Sequence, residues 1–269
     1  ADGSIAPDWT LTDVNGTAHN LYSYLDGSYT VFLDFSAVWC GPCWSYHTSG
    51  ALEDLYIHHG PEGFPNVDAN TTDDVMVFFI EGDASALACL QGTGCNTQGN
   101  WLTGTPYPVF CTDGTVNNDN TTSLYSIAYW PTIYMICPDR TLIEAGQDPN
   151  PYSLVSCNPA ATFSNDPKIF QYFGPSYTCT GNITPVISVQ NNGINTLTSL
   201  DSIRVTAATV TNPNQLLFDS VVSWTGSLQT YQSANIILPT ITGLNGYETI
   251  NIWINISSFP FIFFYSLLA

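Results

Sequence analysis

Four residues, Cys40-Gly41-Pro42-Cys43, constrain this chain more than any other stretch of it. They end the run from Tyr29 to Trp39, a β-branched and aromatic segment that predicts a buried strand. They precede residues 44–59, where Tyr46, Leu52, Leu55, Tyr56 and His59 recur at helical spacing, so one helix is expected there. Two cysteines therefore lie where a strand feeds a helix. At such a junction the first sulfur faces unpaired backbone N–H groups and the positive end of the helix dipole, which favours thiolate over thiol. Cys40 is the expected nucleophile. Cys43, three residues on, is placed to attack a mixed disulfide and release the partner.

The residues around this motif resemble those of thioredoxin-fold proteins. Asp34 lies six residues before Cys40, Trp39 immediately precedes it, and Tyr129-Trp130-Pro131-Thr132-Ile133 is similar to that family's cis-proline segment. The resemblance implies an α/β thioredoxin fold in which Trp39, Gly41, Pro42, Trp130 and Pro131 form the surface that docks substrate. Asp34, if buried beneath the pair, would have a raised pKa and take the proton from Cys43; otherwise it is a partly solvated acid at a strand end. Two departures stand out. Trp44 takes a place where thioredoxins often have lysine, and the bulky Trp130 precedes the proline, so the set of docked substrates should differ. No metal or other cofactor is expected. A zinc site would need a second ligand pair, and Cys40, Cys43 and His47 lack the CxxxC spacing of copper-carrying relatives of the fold.

At 269 residues the chain is longer than one such domain uses, which predicts two domains. Arg140, Lys168 and Arg204 are its only basic residues beside the histidines, against 22 acidic ones, for a formal charge of −19. That balance argues against nucleic acid and anionic membrane surfaces as partners. Eight cysteines point away from a reducing cytosol. A local Cys89–Cys95 bridge across a short Gly-rich loop is expected, and Cys137 with Cys157 is the favoured second pair. Cys111 and Cys179 are left to pair or stay free. No signal peptide is visible at Ala1, which suits a mature secreted or periplasmic chain, and no apolar run is long enough to span a bilayer.

In chain order, residues 6–21 alternate about Asn15-Gly16 and predict a β-hairpin, followed by a short helix at 21–25. This entry resembles the extracytoplasmic thiol-disulfide oxidoreductases of the TlpA/ResA-like group. Residues 75–80 read as a central parallel strand. Glu81 and Asp83 follow where that group places an acidic residue near the active site, so either could assist proton transfer; the plainer alternative is a cap for a helix starting near Ser85. Residues 83–105 are similar to that group's insertion, and 107–111 to a short strand. A helix is expected over 123–129, a hairpin over 132–145 and a last helix over 151–157, so the resemblance covers about residues 4–157 of a thioredoxin-like domain placed at 1–157.

Residues 158–181, with Pro, Asn and Ser, read as a linker. From 182 to 269 strands alternate with short turns, including 185–189, 202–210, 218–224, 234–238 and 249–256, and predict an all-β sandwich. It resembles the immunoglobulin-like modules of secreted bacterial proteins in Asn191-Asn192-Gly193 and Trp224-Thr-Gly226-Ser. The apolar ending, 259–269, reads as a final strand or as the edge of a longer protein. The whole predicts a secreted thiol-disulfide oxidoreductase, a reductant or isomerase, acting on extracytoplasmic protein thiols or disulfides. As a reductant it would need an electron-donating partner. The alternative is an extracellular adhesion or binding protein with a structural, non-cycling redoxin domain.

Overall fold

The chain enters through a hairpin of β1 (Thr10–Thr12) and β2 (Ala18–Asn20), turned at Asn15-Gly16, where Gly16 takes the left-handed conformation at φ 85°. Asn20 then caps α1 (Leu21–Asp26), its side chain accepting the Ser23 N–H. This computed structural model describes residues 3–114, 117, 121–175, 181–244, 249–256 and 262–268. The chain divides into two units, Ala1–Ala160 and Ala161–Ala269.

In the first unit, β3 (Thr30–Ser36) and β4 (Val75–Glu81) are buried at every position. Continuous apolar runs of this kind suit strands covered on both faces, and each enclosed Phe, Leu or Ile contributes roughly 1.5–3 kcal/mol of burial. With β5 (Val109–Phe110), β6 (Thr132–Ile136) and β7 (Leu142–Glu144) they form one sheet in the order β5-β4-β3-β6-β7. β5, β4 and β3 run parallel, and β6 and β7 add antiparallel. That is the arrangement of a thioredoxin-like sheet, with β3, the strand that leads to Cys40, at its centre.

The helix expected over 44–59 is two helices. α2 (Gly41–His47) and α3 (Ala51–His59) are separated at Thr48-Ser49-Gly50, and Gly50 sits at φ 81°. The hydroxyls of Thr48 and Ser49 donate back to the carbonyls of Trp44 and Tyr46, and the Ser49 hydroxyl and N–H together serve the Tyr46 carbonyl that a continuing helix would have bonded to Gly50. Apolar spacing persists across the break, so periodicity alone does not reveal it. Smaller differences follow. The insertion holds only α4 (Leu87–Leu90), the helix expected at 123–129 is α5 (Thr121–Leu124), and 151–157 contains a single 3-10 turn over Pro151–Leu154.

The second unit begins inside the stretch read as a linker. Residues Pro167–Tyr172 form β8, paired antiparallel with β9 (Val186–Asn191). Its pairing is interrupted by a register shift between Ile169 and Gln171, so the strand lacks an unbroken period-2 pattern. β10 (Leu197–Thr209), β11 (Leu216–Leu228), β12 (Ser233–Ile237), β13 (Thr249–Ile256) and β14 (Ile262–Leu268) complete two antiparallel sheets, β12-β9-β8 and β11-β10-β13-β14. Ile187 and Val189 from one sheet share a single apolar cluster with Ile203, Val205, Ile252 and Ile254 from the other. Asn191, expected at a turn, is fully enclosed. Its amide donates to the carbonyls of Asn195 and Leu228, and its oxygen accepts the Gly193 N–H.

Candidate functional site

The site is built from the end of β3 outward. Ser36 closes the strand, and Cys40 becomes the N-cap of α2, its sulfur accepting the backbone N–H of Cys43 at 3.2 Å. Pro42 fits the first turn because an N–H there has no helical partner to lose. Cys40 and Cys43 are joined in a disulfide, with 4% and 0% of their surfaces exposed. Trp39 beside them is 43% exposed, and Pro42 is exposed as well. On reduction, the Cys40 sulfur lies where the helix N-terminus stabilises negative charge.

Asp34 sits at the centre of the sheet, paired with Phe79 on one side and Ile133 on the other. It is completely enclosed. One carboxyl oxygen accepts the Ser36 hydroxyl at 2.5 Å and the other has no partner. Burial raises its pKa to about 7, the negative charge of Glu53 adds to the rise, and the Ser36 bond partly offsets it.

Glu53 was not anticipated from the sequence, where an acid in the first turn of a helix reads as a partner for the dipole. It too is raised to about 7, chiefly by burial. Its Oε1 accepts the Tyr107 hydroxyl at 3.1 Å, and its Oε2 finds no partner outside its own backbone. His47 Nδ1 lies 3.3 Å from Glu53 Oε1, outside hydrogen-bonding alignment, with its ring against Trp101 and Phe79. Burial lowers the His47 pKa to about 4, so the imidazole is neutral at physiological pH.

Glu81 and Asp83 take separate places, and neither caps a helix: α4 starts at Leu87, with Ala86 at its cap. Glu81 is enclosed at the end of β4, level with Ser36, and accepts the Asp83 N–H at 3.2 Å. Burial raises its pKa to about 7. Asp83 is exposed and accepts the Trp39 indole N–H at 2.6 Å. Between them, Gly82 leaves the space in which the Trp130 ring lies, since a Cβ at 82 would come within 2.2 Å of that ring. The Trp130–Pro131 bond is cis, and Thr132 next to it pairs with Phe35. The dipeptide Gly82-Asp83 thus contacts both Trp39 and Trp130.

The insertion holds on to the approach to Cys40. Cys89 is bonded to Cys95, and further along Gln98 donates its backbone N–H to the Val38 carbonyl at 2.9 Å and its side-chain amide to the Trp39 carbonyl at 2.8 Å. Trp101 is enclosed against Trp44, His47 and Phe79. Elsewhere in the unit Cys137 is bonded to Cys157, and Cys111 is an enclosed free thiol donating to the Ser85 carbonyl. Cys179 lies outside the described residues. Among the described residues no three His, Cys, Asp or Glu side chains converge as a metal site, and no helix is long and apolar enough to cross a membrane.

No family model matches the chain, and no curated protein matches it. Solved structures with similarity to it include the thioredoxin domain of a thiol-disulfide oxidoreductase from Bacteroides vulgatus, 17% identical, covering 54% of this chain and 86% of that one with a TM-score of 0.37. A thiol-disulfide oxidoreductase from Bacteroides fragilis is 17% identical over 52% of this chain and 88% of its own, with a TM-score of 0.35. A thiol:disulfide interchange protein from a Bacteroides species is 14% identical over 57% and 88%, with a TM-score of 0.37. At these values the fold is read from the chain's own strand order and site geometry.

Proposed function

We propose that the first unit is a thiol-disulfide oxidoreductase that reduces or isomerises disulfides of extracytoplasmic proteins. The observation that carries this reading is a disulfide held at a helix N-terminus in the same sheet unit as an enclosed carboxyl with a free oxygen. In the reduced enzyme the Cys40 thiolate attacks a substrate disulfide, forming a Cys40–substrate bond and releasing one substrate thiolate. Cys43 then attacks Cys40 Sγ, the substrate's second sulfur leaves, and Asp34 takes the Cys43 proton. The enzyme ends oxidised and the substrate reduced, and a dithiol donor restores the pair. Trp39, Trp130 and Pro131 supply the docking surface. Three disulfides in the described chain support an extracytoplasmic setting. The second unit, an immunoglobulin-like sandwich in this reading, spaces or anchors the redox unit.

The enclosure of both sulfurs favours one other reading, a non-cycling disulfide in an adhesion or binding protein. Trapping separates the two. Cys43→Ser is expected to accumulate mixed disulfides with extracytoplasmic proteins on non-reducing gels, and Cys40→Ser to give none. Absence of adducts from Cys43→Ser would sink the exchange reading. The reduction potential then gives direction: about −270 mV marks a reductant and about −120 mV an oxidant.

A further inference from the structure

One charged group beside the disulfide has no cation to answer it. Asp83 is exposed, and the bond from the Trp39 indole N–H, at 2.6 Å, is the one its carboxyl accepts among the described residues. A neutral indole leaves the negative charge in place. Arg140, the only Lys or Arg of the first unit, is engaged elsewhere: it pairs with Asp26 and lies over the Tyr22 ring. The histidines face other groups too. His19 meets Asp13, His47 lies beside Glu53, His58 meets Asp68 and His59 bonds Thr72.

The Asp83 carboxylate is set among aromatic surfaces. Trp39, directly before Cys40, is 43% exposed, and Gln98 holds its backbone carbonyl. The half-buried Trp130 ring lies against Gly82, the neighbour of Asp83. Tyr129, exposed and directly before Trp130, donates its hydroxyl to the exposed Glu144, which brings a second carboxylate to the same segment. An aromatic face attracts a cation, and a carboxylate bonded to that ring supplies the countercharge. An acidic segment docking here would set like charges against each other. An apolar one would take water from Asp83 and return nothing to it.

We propose that Asp83, bonded to Trp39, selects substrate segments carrying a Lys or Arg beside the reacting cysteine, the cation lying against the Trp39 ring with the Asp83 carboxylate as its countercharge. This names a substrate class for the exchange reading above and rests on it.

The test uses the full chain and peptide disulfides that differ in one residue, Lys, Gln or Glu, placed either next to the cysteine or at the far end of the peptide. Lys next to the cysteine should raise kcat/KM over Gln by roughly three- to tenfold, chiefly through KM, and Glu should lower it. Lys at the far end should give little gain. Asp83→Asn, which keeps an oxygen for the Trp39 indole, should bring the Lys and Gln peptides to the same rate. Glu62→Gln removes an exposed charge beside Asp73, at the opposite end of the sheet, and should leave the wild-type ratio as it is. Equal rates for Lys and Gln peptides in the wild type overturn the proposal. A preference that survives Asp83→Asn, or falls as much in Glu62→Gln, overturns it as well, because the net charge of the unit would then carry the effect. The same peptides with Ser in place of Cys, titrated into the oxidised protein while the Trp39 indole N–H is followed by NMR, give a readout that needs no turnover. Tighter binding of the Lys peptide there, with no disulfide exchange for any peptide, brings down the exchange reading alone; equal binding of all three brings down the selection by Asp83.

Discussion

Both units close an apolar core with strands, yet they enclose different polar groups. In the first, among the described residues, Asp34, Glu81 and His47 are buried within or beside the central sheet, and Glu53 nearly so. In the second, the buried polar residues among those described are Ser188, Asn191 and Thr209, all neutral, and the Asn191 side chain makes three hydrogen bonds, to two backbone carbonyls and one N–H. Burying an ionisable group costs stability unless it is paired, so a chain that keeps several in one unit does so against the folding energy of that unit. A buried amide that completes three hydrogen bonds instead strengthens the fold around it. The contrast separates a unit that keeps ionisable groups inside its core from one whose described buried polar groups are neutral.

The contrast can be broken most directly by a core truncation. Phe35→Ala is expected to cost the first unit about 3–5 kcal/mol, raising hydrogen exchange in β3 and β4 peptides while β9 and β10 peptides keep their protection. An equal rise in both sets would show that the units do not hold separate stabilities. Next in size is Asp34→Asn, which should stabilise the first unit by about 2–4 kcal/mol at pH 8, because it removes the cost of a buried charge. A denaturant midpoint that falls instead would mean that the charged form is satisfied in the folded protein.

The pH dependence follows from the same groups. Folded Asp34, Glu53 and Glu81 keep their protons to about pH 7, whereas the unfolded chain loses them near 3.8 to 4.5. The folded first unit therefore binds more protons in this window, and these three groups lower its stability as pH rises to about 7, with a levelling above it. His47, lowered to about 4 from 6.5, acts in the opposite sense between those values and offsets one of the three. Urea midpoints between pH 5 and 8 should thus decline for the first unit and stay level for the second. Asn191→Ala should cost the second unit about 2–3 kcal/mol and leave the exchange rate unchanged. The smallest effect is Asp83→Ala. It should alter stability by less than about 1 kcal/mol while moving the Trp39 fluorescence and the preference among peptide substrates.

The frame of the first unit is legible in the residues because its strands are long apolar runs and its turn carries Asn15-Gly16. Cys40, Cys43 and Asp34 share a strand-to-helix segment, so their spacing alone brings them to one end of the sheet. What is not legible depends on long-range approach. Glu53 looks like an ordinary first-turn acid until the break at Thr48-Ser49-Gly50 sets α3 beside Tyr107, 54 positions away in sequence. Asp83 reads as a loop carboxylate until the Trp39 indole reaches it. In the second unit, Asn191 carries a turn signature and only the folded chain reveals how many backbone groups it serves. The β8 strand is hidden by a register shift that spoils its alternation.

The grip of the insertion on the segment before Cys40 has a consequence for how such a chain can diverge. Gln98 bonds the carbonyls of Val38 and Trp39, groups that every amino acid possesses. Side chains at 38 and 39 can therefore be exchanged over generations without loosening that grip, while a change at 98 removes a donor that nothing at 38 or 39 can restore. Variation in the side chains presented beside Cys40 is thereby uncoupled from the attachment that keeps this segment in place.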